Sequence, residues 1–177
     1  MVFGASGLEA FERPTERAGI IHPGLPIMPD GVERHPIPAG GTRSVEVFKG
    51  DEITLVDRDG MQPAEVVFFA PDGSSDLGAL GLKSNAETAA GIAAALGSAD
   101  GSGARVTRAL NAAGFDLRHA QAARMFGEGS ARGAHETCFA DRDGLLIACA
   151  VPSQMDPGAH DTATDITLYI RRASPRP

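Results

Sequence analysis

A chain of 177 residues is long enough for one domain with its own core, and an apolar share of 42% sits at the globular average, which excludes a disordered chain. A net charge of −7 without any basic run excludes non-specific nucleic-acid binding, which needs Lys/Arg contacts that release counterions. The longest apolar stretches, such as 64–70, fall far short of the ~20 residues that span a bilayer, residues 1–6 lack a signal-peptide pattern, and two cysteines make no disulfide framework. No membrane partner and a cytoplasmic setting are therefore expected.

The N-terminal 38 residues read as a Pro-rich strap packed on the domain. Pro23, Pro26, Pro29, Pro36 and Pro38 come too densely for a helix, because each lacks a donor and pushes its predecessor toward extended geometry. The apolar residues Ile20, Ile21, Leu25, Ile27 and Met28 give the strap a reason to pack. The first strand is expected at 43–49, with Val45 and Val47 on one face. Gly50-Asp51 turns the chain into a second strand at 52–57, and Asp59-Gly60 is a hairpin signal before a third at 64–70. That third strand is apolar on both sides and so central. The three together predict a meander.

The period then changes. Ser84-Asn85-Ala86-Glu87 has the form of a capping box, and Ile92 and Leu96 follow at helical spacing before Gly97. A second helix carries Val106, Ala109, Leu110 and Ala113 on one face, and a third piece is expected over 117–126. Strands return at 135–140, 145–151 and 164–172, with a turn at 141–144, and 173–177 reads as a linker. The fold class expected is α+β: an antiparallel β-sandwich or distorted barrel, with a helical insertion over about 84–126 in a single domain spanning 39–172.

The run Ile37-Pro38-Ala39-Gly40-Gly41, the segments 45–50 and 53–69, and Gly60-Met61-Gln62 between strands resemble the urea carboxylase-associated domain family. The C-terminal part agrees in 145–149, in Met155-Asp156-Pro157-Gly158 and in Thr164-Asp165-Ile166-Thr167-Leu168-Tyr169. The resemblance covers about 37–73 and 135–172, and the middle does not match. Such domains occur fused to a folate-binding module like that of glycine-cleavage aminomethyltransferases. Trimethylamine-oxide demethylase-like fusions are zinc enzymes that release dimethylamine and formaldehyde, the latter captured by tetrahydrofolate. The resemblance implies that this chain is a divergent N-terminal copy in such a fusion. Its partners would then be other domains of a larger chain, and tetrahydrofolate would bind only through one of those.

Carried over residue by residue, the match is incomplete. The family's zinc centre uses three cysteines, two in the central segment and one just before the final strands. Cys149 stands at the third position, and 97–129 contains no cysteine. The strand carboxylate after the Gly-x-Gln turn, an Asp in the family's pattern, is Glu65 here. One thiolate cannot hold a catalytic zinc, which takes three protein ligands and an open position. No cofactor is therefore expected on this chain.

Two site readings remain. His135 and Cys138, with Cys149 and His160, could form an independent zinc cluster, since thiolates and imidazoles suit that metal. The plainer reading, which is preferred, makes the cysteines small buried hydrophobes. Glu65 could serve as a buried acid or base, with Gln62 beside it, or could face outward and pair with an arginine such as Arg43. Here too the plainer alternative is preferred, and Gln62 then caps its turn. Three functions follow: a non-catalytic domain of a larger one-carbon protein, a stand-alone metal-dependent enzyme acting on an amine or urea-like compound, or a small-molecule binding or oligomerisation module whose strap joins a homo-oligomer.

Overall fold

The computed structural model of the protein describes residues 28–86, 88–98, 102–127, 129–152 and 163–174. They form eight strands: β1 (Val32–Ile37), β2 (Thr42–Val47), β3 (Glu52–Asp57), β4 (Ala64–Phe69), β5 (Ala123–Met125), β6 (Ala134–Phe139), β7 (Gly144–Ala150) and β8 (Ile166–Arg171). Two α-helices, α1 (Ala90–Ser98) and α2 (Ser102–Ala112), lie between β4 and β5. No helix among the described residues is long and apolar enough to cross a membrane.

The strands make two four-stranded antiparallel sheets, ordered β1-β8-β3-β6 and β2-β7-β4-β5. That is the strand order of an eight-stranded jelly roll, built from two interleaved Greek keys. The expected meander does not form. β2, β3 and β4 are consecutive in sequence, yet none pairs with the next; β2 pairs with β7, β3 with β6 and β8, and β4 with β5 and β7. The turns at Gly50-Asp51 and Asp59-Gly60 are corners between sheets, not hairpins.

Buried aspartates hold both corners. Asp51 accepts hydrogen bonds from the Phe48 and Ala173 amides at 3.0 Å each and from Arg172 Nη1 at 2.6 Å. Asp57 accepts from the amides of Gly60 (2.9 Å) and Gln62 (3.1 Å) and from Ser130 Oγ (2.7 Å). Each carboxylate takes up turn N–H groups that a hairpin ladder would otherwise satisfy.

Two apolar clusters divide the side chains by strand parity. Val45 and Val47 (β2), Ile53 and Leu55 (β3), Val66 and Phe68 (β4), Leu146 and Ala148 (β7) and Leu168 and Ile170 (β8) fill the space between the sheets. The opposite face of the second sheet contributes Val67, Phe69, Ile147 and Cys149, which pack with Ile92, Leu96 and Leu110 of the helices. β4 is buried at every position because it faces a sheet on one side and helices on the other. The molecule thus has three layers.

Several expectations change. Part of the presumed irregular strap, Val32–Ile37, is a strand paired with β8. Pro36 is compatible with it because β1 is an edge strand, where a missing N–H costs no ladder bond. The rest of the strap, up to residue 27, lies outside the described residues. Ser84 caps no helix; its Oγ donates to the carbonyls of Ala86 and Ala122, and α1 starts later, at Ala90. Glu87 lies outside the described residues. The third helical piece is a single 3-10 turn, Leu117–His119, followed by β5. In β5 the buried-exposed-buried alternation of Ala123, Arg124 and Met125 has the period of a strand, and it overrode the helical reading.

Candidate functional site

Glu65 and Cys149 are direct cross-strand partners on β4 and β7, and both face the helix layer. Parity dictates this. With Ala64, Val66 and Phe68 committed to the inter-sheet core, Glu65 must point with Val67 and Phe69 toward the helices.

Glu65 is 0% exposed, and its oxygens meet three donors. Oε1 accepts from the Ile92 amide at 2.9 Å, while Oε2 accepts from the Gly91 amide at 3.1 Å and from Arg124 Nε at 3.3 Å. Gly91 and Ile92 are the second and third residues of α1, whose N–H groups have no partner within the helix. A side chain just before the helix normally serves them. Here that position is Ala89, which has no acceptor, so a carboxylate from the sheet caps the helix instead. Its negative charge also lies at the positive end of the helix dipole.

Gly91 makes the approach fit. A Cβ there would lie 2.9 Å from Val151 Cγ2 and 3.1 Å from Glu65 Oε2. Arg124 sits opposite Glu65 in the β4–β5 register, and its side chain is half-exposed. Asn85 holds the Arg124 backbone like a strand neighbour, accepting from its amide at 2.6 Å and donating to its carbonyl at 2.9 Å.

Cys149 is fully buried beneath this arrangement. Burial, followed by the nearby Glu65 charge, pushes its thiol up to about 12. A thiol that stays protonated at neutral pH is neither a nucleophile nor a metal-binding thiolate. Cys138 lies in the other sheet, in the inter-sheet core, and burial raises it to about 11 with help from Glu136. His135 is three residues from Cys138 on β6, so the two side chains point to opposite faces, and His135 is exposed. His160 lies outside the described residues.

Gln62 is a buried tie. Its Nε2 donates to the carbonyls of Pro63 (2.8 Å) and Val151 (3.0 Å), and its Oε1 accepts from the Thr164 amide at 2.7 Å, linking the ends of β4, β7 and β8. The structure therefore brings Glu65 and Cys149 together and keeps Cys138, His135 and Gln62 apart from them. Among the described residues no three His, Cys, Asp or Glu side chains could hold a metal ion. The zinc centre implied by the resemblance does not fit these donors: its carboxylate is occupied and its remaining thiol is held neutral.

Sequence reasoning missed Arg124, Asn85 and Gly91. Only Gly91 left a signal: a glycine in the first turn of an alanine-rich helix marks a close approach of backbone to something else. The cation beside Glu65 is Arg124, not Arg43.

Fold and site together define a jelly-roll domain with a helical layer, in which a strand carboxylate anchors a helix. No protein-family model matches the chain. The chain is similar to the trimethylamine-oxide aldolase of Ruegeria pomeroyi, at 32% identity over 165 residues. The match covers 93% of this chain and 21% of that protein, so the chain spans about a fifth of the length of this relative.

Proposed function

We propose that this chain is a non-catalytic N-terminal domain of a larger trimethylamine-oxide demethylase-like or aminomethyltransferase-related protein. In this reading it is a divergent urea carboxylase-associated domain that works in the cytoplasm, and its role is assembly of the larger protein or lining of a passage within it. Zinc chemistry and tetrahydrofolate belong to other domains.

The observation that carries the proposal is the use of Glu65. Where a catalytic carboxylate would need a free oxygen, this one spends both on the α1 amides and on Arg124. The neutral Cys149 thiol beside it supports the same reading, as does the similarity to one stretch of a much longer relative.

The test is the size of the native polypeptide, read by immunoblot of source cells with an antibody raised to this chain. A band several times larger than 18.3 kDa is expected. A band at 18.3 kDa, together with stoichiometric zinc in the purified chain, overturns the proposal in favour of a stand-alone metal-dependent enzyme.

A further inference from the structure

A cleft of about 280 Å³ opens at the end of the second sheet, where β2 finishes and β7 begins. Phe48, Phe115, Pro71 and Leu145 supply its apolar wall, and two carboxylates, Glu46 and Asp143, stand in the same lining. Three contacts hold the walls in place. The Phe115 ring packs on Phe69 with centroids 5.2 Å apart. The loop carrying Pro71 lies close against the residues after α2, so that a Cβ on Gly73 would come within 2.7 Å of the Gly114 carbonyl. The Lys49 amide donates to Asp143 Oδ1 at 2.8 Å, pinning the 141–144 turn to the end of β2.

No cation of the described residues neutralises these carboxylates. The Glu46 side chain makes no hydrogen bond or ion pair among them, and Asp143 is bonded only by a backbone amide. The Lys49 ammonium forms no ion pair with either. The Arg172 guanidinium lies over the Phe48 ring, 5.7 Å from its centroid, but its charge is spent on Glu33 and Asp51 at 2.7 and 2.6 Å.

An apolar, aromatic-walled cleft with two unneutralised carboxylates matches one ligand chemistry. A metal ion would find too few oxygens and too much hydrocarbon. An anion would be repelled, and a neutral apolar molecule would leave the carboxylates unused. We infer that the cleft binds a small organic cation of the alkylammonium class, its alkyl groups against Phe115, Pro71 and Leu145 and its charge facing Glu46 and Asp143. The inference rests on this lining alone and does not depend on whether the chain belongs to a larger enzyme.

The test is a titration of the full 177-residue chain with tetramethylammonium chloride, followed by amide chemical shifts, with tert-butanol as the neutral control. Saturable shifts confined to 70–71, 115 and 143–145 are expected, with a dissociation constant on the order of 10 mM, because the site is half-open and makes few contacts. Exposed charge pairs are weak, so Glu46→Gln lowers the affinity about threefold and the double variant with Asp143→Asn about tenfold. Asn at 143 still accepts the Lys49 amide, so the turn stays pinned. The inference is overturned if no saturable shift appears, if tert-butanol binds equally well, or if the double variant binds as tightly as the parent. It is equally overturned if the same amides shift on simple dilution of the protein, which would mean that a second copy fills the cleft.

Discussion

Replacing Glu65 with alanine strips α1 of its cap from inside the molecule. The Gly91 and Ile92 amides lose their acceptor in a place water does not reach, since Glu65 is completely buried. Each orphaned buried donor costs about 1–3 kcal/mol, and loss of the negative charge from the helix N-terminus adds about 0.3–1 kcal/mol. Two terms act the other way. The carboxylate's own desolvation is relieved, and the half-exposed Arg124 can turn to water, so its lost pairing adds little. The net expectation is a loss of about 3 kcal/mol. For a chain of this length that is a melting temperature lower by about 6–12 °C. Glu65→Gln keeps one carbonyl oxygen for one amide and should lose about half as much. Thermal unfolding followed by circular dichroism gives the global number, and hydrogen exchange at Gly91 and Ile92 gives the local one. Those two amides should exchange faster in both variants than the global loss alone requires. A Glu65→Ala protein as stable as the parent, with unchanged exchange at both amides, would refute the anchoring role and return Glu65 to the list of available acids.

Three further outcomes are expected. Because burial holds the Cys149 and Cys138 thiols at about 12 and 11, iodoacetamide at pH 8 should label neither in the folded protein and both after denaturation, as read by mass spectrometry; native labelling at the rate of a free thiol would contradict the burial argument. The Arg172 hydrogen bond lowers Glu33 from 4.5 to about 2, so its folded pKa is depressed: the stabilisation is complete above pH 4.5 and is lost as pH falls toward 2. Glu33→Gln should flatten the denaturation-midpoint profile across that window, and an unchanged slope would remove the pair from the account. Gly144→Ala should cost about 1–3 kcal/mol in urea unfolding, because a Cβ there meets the Phe68 ring and the Phe69 carbonyl; a neutral result would mean that β7 can shift at no cost.

Much of the strand content was legible because period 2 is local. β3 was read to the residue, and β2, β4, β6, β7 and β8 to within two residues at each end. β1 was hidden by Pro36, a residue that argues against a strand anywhere except at an edge, and edges are not marked in a sequence. β5 has three residues, too few for a period to emerge. The candidate site was half legible. Glu65 stood out as a carboxylate in an apolar strand, and Cys149 by its place in the resemblance, but nothing local tied Glu65 to amides 26 and 27 residues away.

Alternation in the sequence by itself determined which residues are strands and which face of each is apolar, since side-chain direction along a strand follows from the backbone alone. Pairing did not follow. Asp59-Gly60 specifies a reversal of the chain but not the partner it reverses toward, and a reversal serves a hairpin and a corner between sheets equally well. Only tertiary packing, which buries β4 between a sheet and a helical layer, sent consecutive strands to opposite sheets. The same packing settled Glu65: a carboxylate forced to face the helix layer is stable there because an uncapped helix end supplies the donors it needs.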